Sequence, residues 1–189
     1  GSRIHWRPDL QVFTDIDIPV DYYRDTLRRQ AIVNDGLTFI FKNEITPGKF
    51  ETETFRYENG IADHAQELAG EDSLTPVQLW QSEKKVRDRA DLPEYKVKIR
   101  AAVAFSNKNR ATEYYHNSSW LEHGGAPDKA VRNAFVYQID AYLKANGKYN
   151  KNESKITYTD VEDCLIVVIS SFSNQTSYEN QTKKAITNK

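Results

Sequence analysis

Gln181-Thr182-Lys183-Lys184 are the residues of this chain best suited to chemistry; they lie in a polar stretch that begins at Tyr178 and follows the apolar run 165–172. A lysine carries a compact ammonium on a four-carbon stem and meets a phosphate oxygen as a point charge, and a neighbouring glutamine adds amide donors. On its own, Gln-Thr-Lys is also an ordinary solvated tripeptide. Arg132 is the second candidate. It stands four residues after Asp128, where the reading from the residues themselves is an i,i+4 surface pair worth a few tenths of a kcal/mol. No nucleophile–base pair can be argued from the sequence.

The remaining polar groups have blander readings. His5, His64, His116 and His123 show no metal-ligand spacing with each other or with Cys164, and are expected to be exposed or satisfied polar residues. Lys96, Lys98 and Arg100 alternate along one strand face; they fit phosphate tracking, but a solvated sheet face is favoured. Cys164 is the single cysteine, so no disulfide forms within the chain, and its place at the start of an apolar run predicts a buried thiol. Sequons occur at Asn117, Asn152, Asn174 and Asn180, without a signal peptide ahead of them, and a cytoplasmic protein is the expectation.

With 189 residues the chain fits one domain, or one domain with an appendage. Its net charge of −1 and pI near 6.5 argue against an autonomous nucleic-acid binder, so any DNA contact must be local. No apolar stretch approaches the roughly 20 residues of a membrane helix. The chain has no methionine and begins Gly1-Ser2, which reads as an excised fragment with a cloning scar, or as a sequence from which modified residues have been lost.

The elements that must position these residues can be read from periodicity. Arg3-Ile4-His5-Trp6-Arg7 alternates like a lone strand and stops at Pro8. Val20, Tyr23, Leu27 and Ala31 recur at helical spacing between Pro19 and the stop Asp35-Gly36. Residues 37–42 and 51–57 read as a hairpin around Thr46-Pro47-Gly48. A short helix covers 61–68, a strand 74–82, and a charged, solvated connection 83–92. Tyr95–Phe105 alternates with one buried face, and 112–117 is expected to pair with it through the turn 106–110. Pro127 opens a helix to about Ala145, with Gly147 as its stop. Thr159 is placed as the cap of a turn over 160–163, and 165–172 is an apolar strand for a sheet centre. The fold class is α/β (α+β), with a mixed β-sheet packed with helices.

Five pieces, in order, resemble the transducer domain of the B subunit of bacterial type IIA DNA topoisomerases, the gyrase and topoisomerase IV family. Residues 1–9 with Phe13 look like the last strand and exit of that family's ATPase domain. Residues 22–36, with Leu27-Arg28-Arg29-Gln30-Ala31 and Asn34-Asp35-Gly36, look like the helix that opens the transducer. Phe55-Arg56-Tyr57-Glu58-Asn59-Gly60-Ile61 is similar to an aromatic strand ending in Tyr-Glu-Gly-Gly, with Asn59 in place of the first glycine. His123-Gly124-Gly125 resembles the double-glycine helix entry, although Ala126-Pro127 stands where the family carries Thr-His. Gln181-Thr182-Lys183 is the fifth piece.

The resemblance implies the fold of the second domain of ribosomal protein S-five, with a left-handed βαβ crossover. It implies two parts: 1–18 as the partial ATPase-domain exit and 19–189 as the transducer. It implies that Gln181 and Lys183 are nucleotide-binding, with Lys183 placed on the terminal phosphate of ATP as the catalytic sensor, and that Arg132 faces a transported DNA duplex. In the intact enzyme ATP and Mg²⁺ are the cofactors; DNA, the topoisomerase A subunit, the enzyme's own ATPase and cleavage domains and a second copy in a homodimer are the partners, with no membrane. The piece alone is expected to be inactive, to bind no cofactor and to leave its Gln-Thr-Lys loop mobile. Asp15-Ile16-Asp17 looks like the Asp-x-Asp of the family's cleavage domain but lacks the separate glutamate and the surrounding fold, so no metal site is assigned. A stand-alone binding or scaffold module of the same fold is the alternative, and a mismatch-repair or chaperone relative a weaker third.

Overall fold

Leu165, Ile166, Val167 and Val168 are all buried because their strand, β7 (Leu165–Ser173), has helices against both faces at this end. In this computed structural model, which describes residues 1–87, 89–179, 181 and 183–187, β7 is the centre of a five-stranded sheet ordered β3-β4-β7-β5-β6. The strands are β3 (Gln78–Val86), β4 (Tyr95–Phe105), β5 (Ala111–His116) and β6 (Ser119–Trp120). β4 runs antiparallel to β7 and β5 parallel to it, so the sheet is mixed. The parallel pair is joined by a crossover containing α3 (Ala126–Ala145) and α4 (Tyr158–Glu162).

Alternate residues of the same strands feed two cores. Ala102, Ala104, Ile166 and Val168 pack with Ile32 of α1 (Val20–Val33) and Ile61 and Ala65 of α2 (Ile61–Ala69). Val103, Leu165 and Val167 pack with Val131 of α3, Val161 of α4 and Ile186 on the other side. Burying each large aliphatic side chain contributes about 1.5–3 kcal/mol. A separate hairpin, β1 (Phe39–Thr46) and β2 (Lys49–Phe55), turns at Pro47-Gly48 and lies against α1.

Several expectations meet these contacts directly. Helix α1 begins after Pro19 and ends at Asn34, and Tyr95–Phe105 is a strand end to end. The one-buried-face reading of β4 is corrected: Ala102, Val103 and Ala104 are buried in succession, whereas Ile99 is exposed, because the helices cover only one end of the sheet. At the uncovered end β4 faces Ser170, Ser171, Phe172 and Ser173 of β7.

Five further expectations are corrected. Residues 112–117 do not pair with β4, because the apolar β7 inserts between them and the connection 106–110 steps across two inter-strand spacings, about 9.6 Å. Strand β3 is shifted toward the C-terminus, and Glu83–Val86, read as connection, forms its last rungs, with Glu83 bridging Lys96 and Lys98. Residues 3–7 form no strand; no described segment offers them a ladder, and Trp6 instead packs its ring near Phe13 and Tyr23. The cap of α4 is Thr157 rather than Thr159, since the Asp160 carboxylate accepts from both the Thr157 backbone N–H and its hydroxyl, each at 2.7 Å. Cys164 is only half-buried, its thiol 3.5 Å from the Val161 carbonyl oxygen.

Candidate functional site

After β7 the chain makes a narrow excursion whose two limbs are tied together. Tyr178 and Ile186 form an antiparallel bridge, the Glu179 N–H donates to the Ala185 carbonyl at 3.1 Å, and the Thr187 N–H donates to Ser177 at 3.0 Å. Gln181 and Lys183 sit at the tip, both exposed. Asn180 and Thr182 lie outside the described residues. Lys183 holds φ at +58°, a left-handed conformation that a non-glycine residue adopts at a cost of about 1 kcal/mol or more. Its Nζ is 5.6 Å from the centre of the Tyr178 ring, on the face where a cation is attracted.

The returning limb docks on the entry of α3. The His123 N–H donates to the Lys184 carbonyl at 3.0 Å and the Ala126 N–H to the Ile186 carbonyl at 3.1 Å, while Gly125 and Ile186 form a parallel bridge. Lys184 pairs with Glu122. Ala185 and Ile186 are buried, so an apolar anchor follows directly on the polar tip. Such close approach of two backbones explains the glycine. A Cβ on Gly125, which holds φ at +78°, would come within 2.5 Å of the Ile186 carbonyl oxygen. The double glycine is therefore a dock for the loop as well as a helix entry, a role that the sequence signals only by placing Ala185-Ile186 after two lysines.

The outgoing limb is braced by a residue that sequence reasoning left as bland. His116 is buried, with Nδ1 2.8 Å from Ser171 Oγ and Nε2 2.7 Å from Thr176 Oγ1. Burial holds its imidazole below the ordinary histidine range. Its ring stands edge-on to Tyr178, centroids 6.0 Å apart. No spacing rule ties His116 to residues 55 and 60 positions away.

Arg132 lies seven residues beyond Gly125, about 10 Å along α3 at 1.5 Å per residue. Its Nε donates to Asp128 at 2.8 Å, an Nη is 3.7 Å from Glu162, and the guanidinium lies 4.3 Å over the Tyr158 ring. Asp128 also accepts from the Tyr114 hydroxyl at 3.1 Å, and burial together with that carboxylate pushes the phenol's pKa up. Arg132 lines an open groove of about 340 Å³ with Arg110, Thr112 and Glu162. The i,i+4 pair is therefore formed, and the arginine remains about half exposed.

The other candidates fall elsewhere. Asp15 and Asp17 are exposed and bonded only within their own turn, Asp17 N–H to Asp15 Oδ1 at 2.8 Å. His64 is buried between Glu113 at 3.0 Å and Glu67 at 3.4 Å, and His5 and His123 are exposed. Lys96 and Lys98 pair with Glu83, and Arg100 with Asp35 at 2.6 Å, so the basic strand face is engaged inside the chain. Among the described residues no group of three or more His, Cys, Asp or Glu is arranged to hold a metal, and no helix is long and apolar enough to cross a membrane.

Comparison with known proteins places this geometry. Solved structures with the same fold include the 43K ATPase domain of Thermus thermophilus gyrase B in complex with an aminocoumarin, at TM-score 0.67 and 21% identity over 96% of this chain and 46% of that one. The ATP-binding domain of Francisella tularensis topoisomerase IV with a small-molecule inhibitor matches at TM-score 0.63 and 24% identity, with the same coverage of each chain. The DNA gyrase B protein of Mycoplasmoides gallisepticum is 27% identical over 100% of this chain, which spans 29% of that relative; its counterpart in Chlamydia muridarum is 25% identical, with 23% of its length covered. The family model described as DNA gyrase B matches residues 60–189, more than two-thirds of the chain, and the chain belongs to that family.

Proposed function

We propose that this chain is the transducer region of the B subunit of an ATP-dependent type II DNA topoisomerase, in which residues 19–189 are the transducer and 1–18 the exit from the ATPase domain. The docking of Lys184–Ile186 on Gly125-Ala126 carries the reading, because it ties the lysine-bearing tip to the helix that presents Arg132. Gln181 and Lys183 offer donors suited to phosphate oxygens, and neither brings the carboxylate that a divalent cation favours; Mg²⁺ would be held by other parts of the intact enzyme.

In the intact enzyme Lys183 reaches the terminal phosphate of ATP as a point charge and Gln181 adds amide donors. That contact exists only with nucleotide bound, and a contact present in one state and absent in the other is what shifts a two-state equilibrium. The limb passes the shift to α3 through backbone hydrogen bonds, biasing a domain rotation that closes the gate of the homodimer around a duplex held by Arg132 and similar phosphate contacts. Strand passage would then need the topoisomerase A subunit and the cleavage domain. The cytoplasm is the compartment this role requires.

The test is ATP turnover of the full-length protein carrying Lys183→Ala, with the 189-residue chain as a blank. Collapse of turnover with nucleotide binding retained supports the sensor; unchanged turnover removes it and favours a scaffold module of the same fold.

A further inference from the structure

The uncovered end of the sheet holds a small basic groove that the nucleotide and DNA roles do not use. It encloses about 190 Å³ and is lined by Lys98 and Arg100 of β4, Ser170 and Ser171 of β7, and Asn117-Ser118 of the β5–β6 turn. That space holds several waters at about 30 Å³ each, enough for a tetrahedral anion.

Its donors are only partly engaged. Asn117 is fully used, its amide donating to the Ser173 carbonyl and accepting from the Ser173 N–H, both at 3.0 Å. Ser171 donates to the Tyr115 carbonyl at 3.2 Å. Arg100 gives an Nη to Asp35, but its Nε is buried without a partner. A guanidinium N–H that is buried and unpaired bears its full desolvation penalty, so such a group calls for an acceptor. Ser118 and Ser170 line the same space, and each carries a hydroxyl able to donate.

Charge points the same way. Lys98 and Arg100 each have a carboxylate partner, but Glu83 is shared between Lys98, at 3.3 Å, and Lys96 outside the groove, so this strand face keeps one positive charge in excess. The turn is preset, since Asn117 and Ser118 hold φ at 47° and 63°, the paired left-handed conformation of a two-residue hairpin. The groove thus combines two cations, hydroxyl donors and an orphaned guanidinium N–H, with no carboxylate among the residues lining it.

We propose that this groove is a seat for a small tetrahedral oxyanion of the phosphate or sulfate class, gripped by Arg100 Nε and Lys98 Nζ and oriented by the Ser170 and Ser118 hydroxyls. Arginine suits the grip because its planar fork serves Asp35 and an anion at once. The seat does not rest on the transducer reading.

The test is a titration of the isotope-labelled 189-residue chain with inorganic phosphate, then sulfate, at constant ionic strength, following backbone amide resonances. Saturable shifts confined to residues 117–118 and 170–172 are expected, with the midpoint raised about tenfold in Lys98→Gln and in Arg100→Lys, which keeps the charge beside Asp35. Ser170→Val fills the groove and abolishes the shifts, while unaltered melting of Lys98→Gln and Ser170→Val shows that the fold survives. Linear, scattered shifts, or equal midpoints in all variants, overturn the seat. A short DNA duplex producing these shifts where free phosphate does not makes the groove a backbone contact and overturns the small-anion reading.

Discussion

The carbonyl oxygen of Ile186 lies 2.5 Å from where a Cβ on Gly125 would stand, so the loop that bears Lys183 and the helix that bears Arg132 meet backbone to backbone. Gly125 also holds a positive φ of 78°. Both facts oppose any side chain there.

Gly125→Ala should therefore separate the limb from α3. The expected loss is about 2 kcal/mol from backbone strain and displaced contacts. In a chain of this size that lowers the melting midpoint by roughly 4–8 °C. Hydrogen exchange at the Ala126 and Thr187 amides should accelerate more than exchange within β7. Equal acceleration everywhere would argue against a local dock.

Lys183 holds its left-handed backbone with no buried contact in return. Lys183→Gly should stabilise the isolated chain by about 0.5–1 kcal/mol, because glycine adopts that φ freely. Lys183→Ala keeps the strain and should melt with the parent. Differential scanning calorimetry of the three proteins distinguishes these outcomes.

His116 sets an acid limit on the loop's bracing. Its folded-state pKa is lowered by burial, so the unfolded chain binds the proton more readily. The resulting stability is fully present above the unfolded value of about 6.5 and is lost as pH falls through the lower folded value. His116→Gln, which keeps partners for Ser171 and Thr176, should flatten that acid slope in denaturant melts taken from about pH 7.5 to about pH 5, a range that spans the titration of histidine.

Arg132 has exposed surface and exchangeable carboxylate partners, which suits a backbone phosphate. In the intact enzyme Arg132→Ala should weaken duplex binding about equally for all sequences and reduce the slope of log affinity against log salt by about 1. An unchanged slope would leave the arginine as the surface pair with Asp128.

Much of this architecture was legible in the chain. Helix α1, strand β4 and the length of α3 follow from apolar spacing and from the breaks at Asp35-Gly36, the turn 106–110 and Gly147. The five ordered pieces of the resemblance led to the family that the comparison then showed. The site was legible only in part. Lys183 and Gly125 stood out as residue types, while nothing local linked them, and His116 gave no signal.

Local periodicity determined which segments are helices and strands, because the 3.6- and 2-residue repeats of burial are properties of each segment's own backbone. Pairing belongs to the whole molecule. Whether 112–117 lies beside β4 or β7, whether residues 3–7 find a ladder, and whether Ile186 reaches Gly125 depend on which distant surface buries the most apolar area while satisfying backbone hydrogen bonds. The apolar run 165–172 announced a central strand, while the tertiary structure alone decided that β7 would separate β4 from β5 and that the polar loop following it would come to rest on the entry of α3.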